Sequence, residues 1–170
     1  MAQANRMRVR EREPGPRDTY EESVRYLLEL RERAFKGQVV IKGREQAWEQ
    51  SRQGRLRYYI CRETNTPAAV LNWNVFIHDI HTHSGKHRHQ GGLVIYVLEG
   101  EGYTEVNGER IEWEAGDLLL LPIVPGGVEH KHFNRKPGQN AKWIAFIYRP
   151  YGDETGSYLE QKEVSPDFRG

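Results

Sequence analysis

The spacing of apolar positions changes character once along this chain. Between Tyr20 and Lys36, residues Val24, Leu27, Leu28 and Leu30 recur at helical intervals, behind a Thr19-Tyr-Glu-Glu22 run with capping-box spacing and ahead of Gly37, a natural stop. This predicts one amphipathic helix over 20–36, and "REQAWEQ", Arg44 to Gln50, reads as a second short helical turn. From residue 55 onward the period shortens to two. Strands are expected at 55–61, 71–80, 93–99, 102–106, 110–113, 117–122, 128–133 and 142–148, with Asn107-Gly108 as a hairpin turn. Eight short strands with closely spaced turn signals favour an all-β sandwich or barrel of the jelly-roll kind, carrying an N-terminal helix.

Composition narrows this without redirecting it. The chain has 170 residues, 37% hydrophobic and 29% charged, which suits one soluble globular domain. It divides into a tail (1–18), a helical arm (19–55), a β-barrel (56–150) and an extension (151–170) packed against its own domain or a neighbour. There is no apolar run of membrane-spanning length and no leader-like start, so no membrane partner and cytoplasmic residence are expected. A net charge of +1 gives no global field to recruit nucleic acid, and the Arg-rich opening, with alternating signs, reads as a solvated tail. Cys61, the single cysteine, is expected on a buried strand; any metal must therefore be held by nitrogen and oxygen.

The chemistry concentrates in histidine. "HTHSGKHRHQGG", His81 to Gly92, holds five of the seven histidines. Alternate strand residues share a face, so His87 and His89 project together, and the later "VEHKHFN" carries a second such pair, His130 and His132. A single histidine usually has no ligand role. Two strand-borne His-x-His pairs with glycine punctuation reverse that presumption.

These motifs resemble those of the cupins, small jelly-roll (double-stranded β-helix) domains. His87-Arg88-His89 followed by Gly100 is similar to the family's first motif, with Leu93 where its glutamate belongs. Gly116, Pro125-Gly126-Gly127, His130 and Asn134 are similar to the second, in a stretch about three residues longer than usual between Gly116 and Pro125. The resemblance covers roughly residues 70–150 and implies His87, His89 and His130 as metal ligands. His81 and His83 fail the same spacing. With His78, placed three residues before His81 on the opposite face of one strand, they read as structural or access-loop groups. His132 stands beside the metal as an acid/base imidazole or packs simply.

Within the family, the His-Arg-His pair without glutamate, the "EGEG" turn at Glu99–Gly102 and the His130-Lys-His-Phe-Asn134 run resemble gentisate 1,2-dioxygenase and related ring-cleaving enzymes. That likeness implies one Fe(II) on three histidines, a substrate bound through adjacent hydroxyl and carboxylate oxygens, O₂ activated beside it, and His132 near oxygen or substrate. Ni, Mn, Zn or Cu are alternative occupants, because imidazole sites accept them all. Three neutral imidazoles leave a divalent ion with its full charge, which favours an anionic chelating substrate, and Leu93 makes the wall apolar. Gentisate enzymes usually carry two such units in about twice this length, whereas single-domain three-histidine cupins cleave C–C bonds of diketones. Arg57, Arg62 and Arg88 are candidate carboxylate partners. The leading expectation is a non-haem iron dioxygenase cleaving a hydroxylated aromatic acid or enolisable carbonyl compound. The alternatives are a metal-dependent isomerase or lyase on a small acid, and a non-catalytic ligand-binding cupin. Flanking segments outside the barrel suggest a homodimer.

Overall fold

The computed structural model describes residues 18–64 and 67–170. The expected tail therefore lies, Asp18 apart, outside the described residues. Helix α1 spans Thr19–Lys36, as its apolar spacing predicts, but its cap sits one residue earlier than the sequence suggested. The Asp18 carboxylate accepts from the backbone N–H groups of Tyr20 (2.9 Å) and Glu21 (3.4 Å), because a short anionic side chain suits a helix N-terminus. No residue of α1 is buried. The helical turn expected at 44–50 is a 3₁₀ turn at Gly43–Glu45 that gives way to a strand.

Among the described residues eleven strands follow in the order β1 (Glu49–Ser51), β2 (Gly54–Ile60), β3 (Trp73–Asp79), β4 (Lys86–His89), β5 (Leu93–Glu99), β6 (Glu101–Val106), β7 (Glu109–Glu114), β8 (Leu118–Leu121), β9 (Val128–Asn134), β10 (Lys142–Tyr148) and β11 (Glu160–Glu163), with α2 (Arg149–Thr155) after β10. All eight expected strands are present. Strand pairing is antiparallel throughout, in a six-stranded sheet β1-β2-β3-β10-β5-β8 and a five-stranded sheet β11-β4-β9-β6-β7, the two layers of a jelly roll. Among the described residues, no helix is long and apolar enough to cross a membrane.

Alternation decides what each layer offers the interior. Leu93, Ile95 and Val97 of β5 point in, and Val94, Tyr96 and Leu98 point out. Leu56, Phe76, Leu119, Leu121, Trp143 and Ala145 complete the inner face of the larger sheet and pack on Trp113 and Val128 of the smaller one. Cys61 is buried just beyond the end of β2 rather than within it. The chain changes sheets between β4 and β5, through Gln90-Gly91-Gly92. A Cβ on Gly91 would lie 1.6 Å from the Pro122 carbonyl oxygen, so only glycine passes there, and the crossover separates the histidine strand β4 from the apolar strand β5.

Candidate metal centre

His87 and His130 are directly opposed across the β4–β9 ladder, and His89 lies two residues along the same face of β4. Their rings converge, with centroids 4.3 Å apart for His87 and His130, 5.0 Å for His89 and His130, and 5.4 Å for His87 and His89. One nitrogen from each falls within 4.8 Å of the others, a grouping that a single ion can bridge, and no carboxylate joins it among the described residues. Backbone carbonyls orient two of the rings: Nδ1 of His89 faces Gln90 O, and Nδ1 of His130 faces Val128 O at 3.4 Å. Nδ1 of His87 is buried without a partner. Such contacts fix a ring and leave Nε2 for a metal, so the donor chemistry fits a divalent ion held by imidazole.

Burial dominates the electrostatics. It holds His78 and His87 down to about 3, with His87 and His81 adding to the effect on His78 and His89 adding to that on His87. The same desolvation lowers His89, and it holds His130 and His132 well below the ordinary imidazole range, reinforced by neighbouring imidazoles. All five rings are thus neutral, the state in which imidazole binds metal.

The group lines a cavity of about 150 Å³ that also meets Leu93, His132, His78, Trp143, Asn74 and Arg149. Leu93, 3% exposed, supplies an apolar wall where the family motif has glutamate. His132, 1% exposed, stands 5.2 Å from the His130 ring, and its Nδ1 lies 2.7 Å from Thr104 Oγ1. His78 departs from the sequence reading. Strand β3 ends at Asp79, so His81 is not on it, and His78 shares the inner face with Asn74 and Phe76. Its ring packs against Trp143 at 4.9 Å, opposite His132 from the other sheet at 4.8 Å.

His81 and His83 stay away from this cavity. His81 is half exposed, 3.2 Å from Asp167, and His83 Nδ1 lies 2.9 Å from the carbonyl of Ser84. Asn134 is buried but structural: Nδ2 reaches the carbonyls of Ile80 and Gln139, and Oδ1 accepts from Lys136 N–H, pinning the 135–141 loop. None of the three candidate arginines reaches the cavity. Arg57 stacks over Trp48, Arg62 pairs with Asp153 at 2.7 Å, and Arg88 points outward to Glu129 at 3.3 Å. The arginine that lines the cavity is Arg149, the first residue of α2, whose Nε is buried without a partner while Nη2 reaches Glu63 at 2.9 Å.

Residues 76–147 match the family model of the cupin domain. Over 85 residues the chain is 33% identical to gentisate 1,2-dioxygenase of a Ralstonia species, covering 47% of this chain and 23% of that one. Over 111 residues it is 29% identical to acireductone dioxygenase of Yarrowia lipolytica, covering 56% of this chain and 62% of that one. The chain thus spans less than two thirds of the curated relatives it matches. Among solved structures, Streptomyces PAC13 with uridine superposes at a TM-score of 0.53 with 14% identity, over 75% of this chain and 94% of that one, a likeness of fold alone.

Proposed function

For a chain whose residues 76–147 match the family model of the cupin domain, we propose a mononuclear non-haem Fe(II) dioxygenase that cleaves a C–C bond of a hydroxylated aromatic acid or an enolisable carbonyl compound. The observation that carries this reading is the cluster of three inward imidazoles with no carboxylate beside it. His87, His89 and His130 would hold the iron. When bound, Fe(II) would act as Lewis acid and electron conduit between a chelating substrate and dioxygen. The chain's own residues do the rest. Neutral imidazoles leave the ion's charge uncompensated, which favours an anionic substrate, and Leu93 and Trp143 give its ring or enol an apolar bed while excluding water. Arg149, on the cavity wall, would meet the outer end of an anion. His132, which also lines the cavity, would meet the substrate oxygens. The relatives with dioxygenase names support the oxygen chemistry. Oxygen uptake on adding substrate to iron-loaded protein tests the reading, whereas turnover without O₂ would make the chain an isomerase or lyase.

A homodimer accompanies this reading. Leu118 and Leu120 of edge strand β8 are 62% and 64% exposed and oppose the outward Tyr96 and Val94 in register. This apolar outer face and the unburied α1 suit a two-fold partner. Light scattering should give twice the chain mass, and Leu120→Asp should shift it toward the monomer; a wild-type monomer would refute the dimer.

A further inference from the structure

His132 sits at the end of a buried three-member chain that decides which of its nitrogens carries hydrogen. The indole Nε1–H of Trp113 donates to Thr104 Oγ1 at 2.9 Å, and the same oxygen lies 2.7 Å from His132 Nδ1. Thr104 is fully buried, Trp113 4% exposed and His132 1% exposed. Indole can only donate, so one lone pair of the threonine oxygen is taken and its own proton needs an acceptor. Among the described residues, the acceptor within reach is His132 Nδ1. If Nδ1 carried the hydrogen instead, the hydroxyl would receive two donors and its proton would be stranded in a dry site. The arrangement is built closely. Thr104 and His132 are register partners on β6 and β9, and Gly102 lets Trp113 lie against the strand, since a Cβ there would come within 2.3 Å of the indole.

We infer that Trp113 and Thr104 are positioning residues that fix His132 as the Nε2–H tautomer, making it a hydrogen-bond donor to a substrate oxyanion in the cavity rather than a general base. The His132 ring lines the cavity beside His130, and with Nδ1 turned to Thr104 its Nε2 is the ring nitrogen left to meet a ligand. A phenolate or enolate oxygen chelated at the three histidines is the acceptor this donor fits. That acceptor comes from the metal-chelate reading proposed above, whereas the tautomer stands on the protein alone.

Two measurements on full-length, zinc-loaded protein separate the claims. Long-range ¹H–¹⁵N correlation of ¹⁵N-histidine-labelled protein should show His132 with a bare Nδ1 and a hydrogen-bearing Nε2; hydrogen on Nδ1 in the wild type overturns the inference. Salicylate, a hydroxyl-and-carboxylate chelator, should bind in calorimetry, and His132→Ala should weaken it about ten- to hundredfold. His132→Gln, which keeps an amide donor near the Nε2 position, should stay within roughly threefold of wild type. Equal loss in His132→Gln and His132→Ala overturns the donor role. Thr104→Ser should keep wild-type affinity and Thr104→Val should lose it; equal affinities in both overturn the positioning role. Failure of the wild type to bind salicylate at all would count against the chelate reading and leave the tautomer result standing.

Discussion

Replacing His130 with alanine is expected to lower affinity for a divalent ion by more than about 100-fold, beyond the 10- to 100-fold typical of losing a residue that merely supports a ligand. His130 lies within bridging distance of both His87 and His89, so its loss leaves two donors on one strand and none opposite. His87→Ala and His89→Ala should behave alike, and all three should abolish turnover. His81→Ala and His83→Ala should retain full metal content, because His81 faces Asp167 and His83 faces the Ser84 carbonyl outside the cavity. Metal analysis after dialysis, with circular dichroism to confirm folding, checks this. Stoichiometric metal in all three ligand variants would sink the assignment.

Acid should destabilise the metal-free protein steeply. His78 and His87 titrate near 3 in the folded state, because burial disfavours the charged ring, and near 6.5 when unfolded. Between those values the unfolded chain binds more protons, so stability is full above about pH 6.5 and falls as pH drops toward 3. At pH 5 these two rings together withdraw about 4 kcal/mol relative to pH 7, a large part of the about 5–15 kcal/mol that holds a domain folded. His89, His130 and His132 act in the same direction. A bound ion should oppose the loss, since metal and protons compete for the same nitrogens. Urea unfolding at pH 7 and pH 5, with and without zinc, measures it. An unchanged midpoint in metal-free protein would contradict neutral, buried imidazoles.

How much of this was legible in the sequence depended on which force shaped each segment. Strands with one buried face, such as Leu93–Glu99 and Lys142–Tyr148, announce themselves by alternation, and both bounds match the expectation. Strands made of polar residues do not. Lys86–His89 reads as a histidine pair leading into the next strand, yet it is a separate strand in the other sheet, and Glu160–Glu163 carries no apolar signal at all. His78 reads with His81 and His83 as a structural or access-loop group because the expected strand runs on to Ile80, whereas β3 ends at Asp79 and His78 lines the cavity. Its spacing from Asn74 and Phe76, two residues at a time, held the signal that it faces inward. Arg149 stands where β10 gives way to α2, a boundary that no apolar pattern marks, beside Ile147 and Tyr148 on the same cavity wall. The three-histidine grouping was legible because two His-x-His pairs on strands need only adjacent pairing to converge, and β4 and β9 are neighbours.

The dioxygenase reading is tested most directly by an oxygen-electrode measurement on iron-loaded protein, offered gentisate, salicylate, catechol and a β-diketone in turn. O₂ consumption stoichiometric with loss of one of these compounds is expected, absent in His130→Ala. Full metal loading with substrate bound and no O₂ consumed across the panel, or substrate turned over anaerobically, would contradict it.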